Sequence, residues 1–432
     1  MSLSKTLQKR VKTTSRPKST QHQKPHVLIV GGGFAGCTAA RSLADIAYVN
    51  ITLISNKSYF EYYPGFYRIV TGAVPIDVCV PLADVLPKSV DVVIDRIVSV
   101  DIETKMVVGD KGETYTADYI ILALGSQTSY FNLPGLPEHS FGFKSIAEAM
   151  ELKKHIRMLF ENRKKNCEST EKIRGEEQHA LVANFQIVIV GGGSSGVELA
   201  GDLSFYMDTL AQQYCVDRSF ITIDIVDRGS RLLSTTHPVA SDAALTRLRL
   251  LGVNVFLNRE VMAEDVEKIL IGDMQLKTKT VIWTAGTQIN SLYNTIPGLT
   301  FTERKRVVVG PHLEVAGSTI DSTGSSDSVY VIGDAAGTAF SGLAQTAIYD
   351  GDFVAKDINR RIRGRVRKTY TPKPINYIIP IGRNWAIMSL GTKHFFGQFA
   401  YFMRQTVDFL YFARILPVRK TIELFIRGKN YN

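Results

Sequence analysis

The chain has 432 residues, 45% of them hydrophobic, which suits two or three domains with a sizeable core and excludes a disordered or fibrous protein. Its four cysteines, Cys37, Cys79, Cys167 and Cys215, stand far apart without C-x-x-C or C-x-x-x-x-C spacing, and its eight histidines form no H-x-x-x-H cluster, which argues against a disulfide framework, a dithiol centre and a metal site. The formal charge of +10 divides unevenly: residues 1–26 carry seven Lys/Arg and no acid, residues 360–432 carry fifteen against Asp408 and Glu423, and the body between is net acidic, so the basic excess addresses anionic surfaces rather than the fold.

Residues 1–26 lack the apolar core of a secretory signal. Leu3, Leu7 and Val11 recur every four residues in a basic, acid-free, Ser/Thr-rich stretch. That composition predicts either a mitochondrial presequence or a disordered basic arm.

His26-Val27-Leu28-Ile29-Val30 then runs into Gly31-Gly32-Gly33-Phe34-Ala35-Gly36. A buried strand, a tight glycine turn and the first turn of a helix are expected. The first glycine makes the turn, the second lets a pyrophosphate approach the backbone, and the third lets helix pack on strand. A helix over 37–47, a strand over 49–54 and an aromatic stretch, Tyr59-Phe60-Glu61-Tyr62-Tyr63-Pro64, follow. Short alternating runs at 90–93, 97–100 and 106–108 read as an antiparallel meander, and 119–125 as another buried strand ending at Gly125. An amphipathic helix is expected over 146–160 and an exposed, charge-dense loop over 162–179.

Phe185-Gln186-Ile187-Val188-Ile189-Val190 runs into Gly191-Gly192-Gly193-Ser194-Ser195-Gly196, the same strand-turn-helix shape. One such hexapeptide is weak evidence; two, each correctly flanked, imply two dinucleotides on one chain. A helix near 239–251, a strand over 253–257 and the run Val281-Ile282-Trp283-Thr284-Ala285-Gly286 complete a second nucleotide domain. Val329-Tyr330-Val331-Ile332-Gly333-Asp334 then returns to the first sheet. In the tail, Phe395, Phe396, Phe399, Phe402, Met403, Val407, Leu410, Ala413 and Leu416 share a broad helical face opposite Arg404 and Asp408. After Pro417, Val418, Ile422, Phe425 and Ile426 lie opposite Arg419, Glu423 and Arg427. No uncharged run reaches the ~20 residues of a bilayer span. Two amphipathic helices lying on a membrane are expected, against the alternative of packing on the body or on a second subunit.

Four segments, 31–36, 123–131, 191–199 and 331–334, together with Trp283-Thr284-Ala285-Gly286 and the stretch from Pro134 to Ser145, resemble the type II NADH dehydrogenases in order and spacing. The likeness extends over nearly everything after residue 26. A sister branch, the apoptosis-inducing-factor-like lipid-quinone reductases, shares the plan, and Pro380-Ile381-Gly382-Arg383-Asn384 leans to either. The resemblance implies an α/β fold of two Rossmann-like domains, the second inserted in the first, plus an amphipathic membrane-anchoring tail. The expected divisions are 27–150 with 300–371 for FAD, 151–299 for NADH and 372–432 for membrane association. It implies an FAD-dependent NADH:quinone oxidoreductase that does not pump protons. The alternative is a redox-sensing binding protein of the sister branch, which slow turnover with quinone would distinguish.

By the resemblance, FAD is held by Gly31, Gly33, Phe34, Ala35, Gly36, Ala123, Gly125, Gly333 and Asp334, the last on the ribityl chain. Ser55 stands where a ribose-binding carboxylate is expected. NADH is held by Gly191, Gly193, Ser194, Ser195, Gly196, Ala285 and Gly286, with Asp227 on the ribose 2′-OH, which favours NADH over NADPH although Arg228 adjoins it. Glu198 matches the family glutamate near the nicotinamide; its plain alternative is a helix-dipole contact. Ala344 and Gln345 match the quinone motif, whose second glutamine is Tyr349 here. Lys393 and His394 lie in the right segment for a proton donor, but neither is assigned. A quinone substrate, a peripheral place on the mitochondrial inner membrane or on the cytoplasmic face of another membrane, and an optional homodimer complete the expectation. Nucleic acid is the poorer partner, since no dense basic patch tracks a backbone.

Overall fold

The computed structural model describes residues 24–45, 48–167, 185–316 and 328–429. The expectations for the basic arm and for most of the 162–179 loop lie outside them. The first sheet begins with β1 (His26–Val30), followed by helix α1 (Phe34–Ala44), β2 (Asn50–Ser55), β3 (Val90–Ile94) and β4 (Tyr119–Leu122). Val27 to Val30 are buried to the last residue, as befits a central parallel strand covered on both faces. Val30 sits opposite both Ile54 and Leu122.

The run at 90–93 does not belong to a meander. It is β3, parallel to β2 with Ser55 opposite Ile94; as an edge strand with one neighbour it is only half-covered, which gives its mixed pattern. The meander is Ile97–Asp101, Met106–Gly109 and Thr114–Thr116.

Helix α2 (Ile146–Cys167) is longer than expected and takes in the start of the anticipated loop. The second sheet comprises β5 (Gln186–Val190), β6 (Thr222–Val226), β7 (Val253–Phe256) and β8 (Thr280–Trp283), in the order β7-β6-β5-β8 and all parallel. Helix α3 (Ser194–Tyr214) follows its turn. A two-stranded ribbon, Ser126–Thr128 against Thr287–Ile289, ties the two sheets together. The chain then returns: β9 (Val329–Val331) pairs with β4, giving the first sheet the order β9-β4-β1-β2-β3. Helix α4 (Ala344–Ile362) crosses α1 closely, because a Cβ on Gly351 would lie 2.4 Å from the Ala35 carbonyl oxygen.

A three-stranded antiparallel sheet, Tyr377–Pro380, Ala386–Leu390 and Lys393–Gly397, precedes α5 (Gln398–Ile415) and α6 (Val418–Lys429). Phe395 and Phe396 therefore belong to a strand, not to the helix. Helix α5 is inverted relative to an ordinary surface helix. Arg404 and Asp408 face the body and are buried (7% and 1% exposed), whereas Phe399, Phe402 and Leu410 stand 58%, 65% and 59% exposed. Leu416 departs from the expected exposed face and joins the core. On α6, Val418 and Ile422 are exposed, while Phe425 packs against Phe409 and Phe412. No helix among the described residues is long and apolar enough to cross a membrane.

Candidate functional site

Each glycine turn is forced by its backbone. Gly31 has φ +118° and a Cβ there would lie 2.2 Å from the Ala123 carbonyl oxygen; Gly191 has φ +114° and would meet Thr284 at 2.7 Å. Side chains at Gly36 and Gly196 would strike the carbonyl oxygens of Gly31 and Gly191. Gly33 and Gly193 face open space with nothing within 4 Å of an added Cβ. Two helix N-termini, those of α1 and α3, thus present bare backbone to whatever lies beyond them, as a pyrophosphate requires.

The residues at the ends of the second strands differ. Asp227 is braced on both oxygens: Oδ2 accepts the Gly192 N–H at 2.6 Å and Oδ1 the Gly229 N–H at 2.6 Å. A carboxylate has further lone pairs free for ribose hydroxyls. Ser55 is buried, and its hydroxyl accepts only the Lys57 N–H, at 3.2 Å.

One cavity of about 1630 Å³ joins the two turns. It exceeds the ~300–1,000 Å³ of a pocket for one small molecule. Gly31, Gly33, Phe34, Ala35, Ser55, Ala123, Gly125, Gly333 and Asp334 line it on one side, Ser194, Ser195 and Glu198 on another, and Ala344 and Gln345 at the start of α4. Asp334 faces it while accepting from the Ser126 hydroxyl, with Lys144 Nζ 3.9 Å away. The Gly333 N–H is held at 3.0 Å by the buried Asp350, whose carboxyl burial pushes up to about 6. These residues fit FAD: an open pyrophosphate cradle, a cavity of sufficient length and an acid at its far end.

Gly36, Gly191, Gly193, Gly196, Asp227, Ala285 and Gly286 do not line this cavity; they form or back the two turns, and Phe131 covers Gly286. Tyr349 departs from its expected place. One helical turn beyond Gln345, it lines an adjoining pocket of about 330 Å³ with Tyr370 and Lys373, whose Nζ lies 4.2 Å from the Tyr349 ring centroid. Lys393 and His394 do not line the main cavity either; His394 packs on the His237 ring.

Sequence reasoning missed a buried charge cluster beside Glu198. Arg404 approaches Glu198 at 3.8 Å and Asp408 at 3.0 Å, and donates to the carbonyls of Ile378 and Pro64. Asp408 also accepts from the Tyr62 hydroxyl at 2.6 Å and from Arg68 at 3.2 Å. Burial pushes the Glu198 carboxyl up to about 8, against the pull of Arg404. The available signal was an Arg and an Asp four residues apart on an otherwise aromatic helix. Of the cysteines described, Cys37 and Cys79 have thiols pushed up to about 12 by burial, the opposite of a thiolate nucleophile.

Residues 25–351 match the family model for pyridine nucleotide-disulphide oxidoreductases. The type II NADH:quinone oxidoreductase NdhA of Mycobacterium tuberculosis is 28% identical over 87% of this chain and 81% of its own length. The demethylphylloquinone reductase NdbB of Synechocystis is 26% identical over 86% of this chain and 88% of its own. The fold superposes on NDH2 from Plasmodium falciparum, solved in complex with NADH, with a TM-score of 0.81 and 18% identity, covering 94% of this chain and 97% of that one.

Proposed function

This chain belongs to the pyridine nucleotide-disulphide oxidoreductase family, and on that footing we propose that it is a type II NADH:quinone oxidoreductase, moving hydride from NADH to FAD and two electrons on to a quinone without pumping protons. The observation that carries the reading is the single cavity onto which both glycine turns open. FAD supplies the redox chemistry; the chain supplies orientation, charge and exclusion of water. Disulfide chemistry is not part of the reading, because no cysteine pair is spaced for it.

The segments 27–150 and 300–371 hold FAD, with Gly33 at the pyrophosphate, Ser55 at the adenosine ribose and Asp334 at the ribityl hydroxyls. The segment 151–299 holds NADH, with Asp227 on the ribose and Glu198 near the nicotinamide. Asp227 disfavours a 2′-phosphate, so NADH is preferred. Ala344 and Gln345, at the N-terminus of α4, meet the quinone ring, with Tyr349 behind them.

Residues 372–432 seat the protein on a membrane, where Phe399, Phe402 and Leu410 enter the lipid and the exposed Arg414, Arg419 and Lys420 meet anionic headgroups. A quinone then reaches the cavity from the lipid side. The basic arm, 1–26, addresses the protein to the mitochondrial inner membrane; a second copy covering α5 is the competing use of the same face.

The decisive experiment is anaerobic titration of the purified yellow protein with NADH and NADPH, followed by a short-chain quinone. NADH is expected to bleach the flavin at lower concentration than NADPH, and quinone to restore the colour. A protein without flavin, or one that quinone leaves bleached, overturns the reading. Co-sedimentation with cardiolipin-containing vesicles, lost in the Phe399→Ser/Phe402→Ser double variant, tests the membrane face.

A further inference from the structure

Helix α3 carries two carboxylates one turn apart, Glu198 and Asp202, which share a helix face. Glu198 lines the cavity and is only 12% exposed. Asp202 does not line it; half-buried, it sits on the far side of Glu198, accepts the Thr71 hydroxyl at 3.2 Å and is near the exposed Arg383. The remaining groups facing the pair are Arg68, Tyr67, Arg404, Asp408 and Tyr401. Both enclosed guanidiniums converge on Asp408, at 3.0 and 3.2 Å, whereas Arg404 stands 3.8 Å from Glu198. Three carboxylates therefore share two enclosed cations, and Asp408 takes the closest contact of each. The cluster is balanced when one of the other two carboxyls keeps a proton.

Two features give the pair a direction. Asp202 is reached from outside the cavity, and Glu198 opens into it. Burial pushes Glu198 up to about 8 and Asp202 to about 6, the latter restrained by the Thr71 hydroxyl and the Arg68 charge. A proton entering at the outer carboxyl is thus held more tightly at the inner one.

We propose that Asp202 relays a proton from solvent to Glu198, and that Glu198 delivers it into the cavity. The inference rests on the quinone reductase reading. There, NADH, one proton and a quinone give NAD⁺ and a quinol, so hydride supplies two electrons and one hydrogen while one further proton must come from solvent. Solvent protonates an Asp202 oxygen. That O–H breaks as a Glu198 O–H forms through a bridging water, since residues at this spacing have Cβ atoms roughly 5–6 Å apart. The Glu198 O–H then breaks as an O–H forms on the acceptor. Neither carboxyl changes oxidation state, and both end as they began. Asp202 is a positioning and proton-supplying residue; Glu198 is the one that faces the reacting atoms.

The test separates the relay from the reading beneath it. In anaerobic rapid mixing, Asp202→Asn is expected to bleach with NADH within about twofold of the wild-type rate. Its colour recovery with a short-chain quinone slows tenfold or more and gains a larger solvent deuterium isotope effect. Asp202→Glu restores recovery to within about threefold, and formate partly rescues Asp202→Asn. Should Asp202→Asn fold poorly, Thr71→Val keeps the carboxylate but removes its hydroxyl donor. The acid-dependent limb of the recovery step then moves to higher pH. Infrared pH titration of the resting protein supplies a readout independent of turnover: without the Asp202 charge, the Glu198 carboxyl titrates at lower pH. Unchanged recovery and isotope effect in Asp202→Asn, or an unmoved limb in Thr71→Val, overturns the relay. Failure of the wild type to bleach at all overturns the quinone reductase reading instead, and the infrared titration then decides alone whether the carboxyls are coupled.

Discussion

The two glycine turns are nearly superimposable in what forces them and unlike in what closes them. Gly31 and Gly191 have φ values of +118° and +114°, and their partners Gly36 and Gly196 would place a Cβ 1.9 and 2.0 Å from the turn carbonyl. At the end of the neighbouring strand, however, one turn has a buried serine with a single amide donor and the other a carboxylate holding two amides at 2.6 Å. The backbone thus makes the cradle, and the strand-end side chain sets how it holds a ligand. A resident FAD can spread its contacts along a long cavity, ending at Asp334. A nicotinamide cofactor that must arrive and leave at every turnover relies on one strong, charge-assisted clamp.

The largest expected effect breaks the likeness between the turns. Gly31→Ala forces a Cβ into the Ala123 carbonyl at a backbone angle that L side chains avoid. It is expected to cost more than ~3 kcal/mol and to yield colourless protein, read from flavin absorbance and thermal melting. Gly191→Ala meets Thr284 and Ala285 at 2.7 to 2.8 Å; it should stay yellow and fail to bleach with NADH. Loss of flavin from the second variant would show that the turns are not independent.

Asp227→Ala removes the clamp together with the bracing of its own turn. An expected loss of roughly 1.5–3 kcal/mol for a hydrogen bond to a charged group corresponds to a KM for NADH about 10- to 100-fold higher, with kcat little changed and the preference over NADPH narrowed. Steady-state kinetics with both nucleotides checks it, and an unchanged KM would remove Asp227 from the ribose.

Glu198→Gln acts on the region between the turns. Burial raises the folded-state carboxyl from the ordinary 4.5 to about 8. Its contribution to stability is therefore complete below pH 4.5 and is lost progressively as pH rises through about 8. The glutamine variant lacks that loss. Its stability relative to wild type should climb across this window by ~1–2 kcal/mol, a part of the full shift because Arg404 loses a partner. Denaturant unfolding from pH 4.5 to 9 measures it; parallel pH curves for the two proteins would refute the raised carboxyl.

Much of this was legible in the sequence because the turns obey local rules. Period and composition found β1, β2, β4, β5, β6, β8 and the return to β9, for apolar runs ending at glycine are written in neighbouring residues. The edge strand β3 was misread because its half-covered pattern is that of a meander strand; only the vacancy beside β2 identifies its partner. The inward face of α5 was misread for a related reason. Periodicity shows that Arg404 and Asp408 oppose the phenylalanines but not which face meets the body. The answer lies in Tyr62 and Arg68, some 340 residues away, and no local pattern contains it. Tyr349 failed by one helical turn, a distance that matters only once the cavity wall is known.

The smallest expected effect sharpens the comparison most. Ser55→Ala removes one hydroxyl whose only partner is the Lys57 N–H at 3.2 Å, the weak end of hydrogen-bond geometry. Even with a ribose contact added, the change should weaken FAD retention by less than ~1.5 kcal/mol, about tenfold at most in flavin dissociation measured by dilution or gel filtration. NADH kinetics should be unaffected. If retention instead collapsed as far as in Gly31→Ala, the serine would be carrying the load that Asp227 carries in the second turn. The contrast between a dispersed grip on FAD and a concentrated one on NADH would then fail at its weakest point, while the geometry of the turns themselves stood.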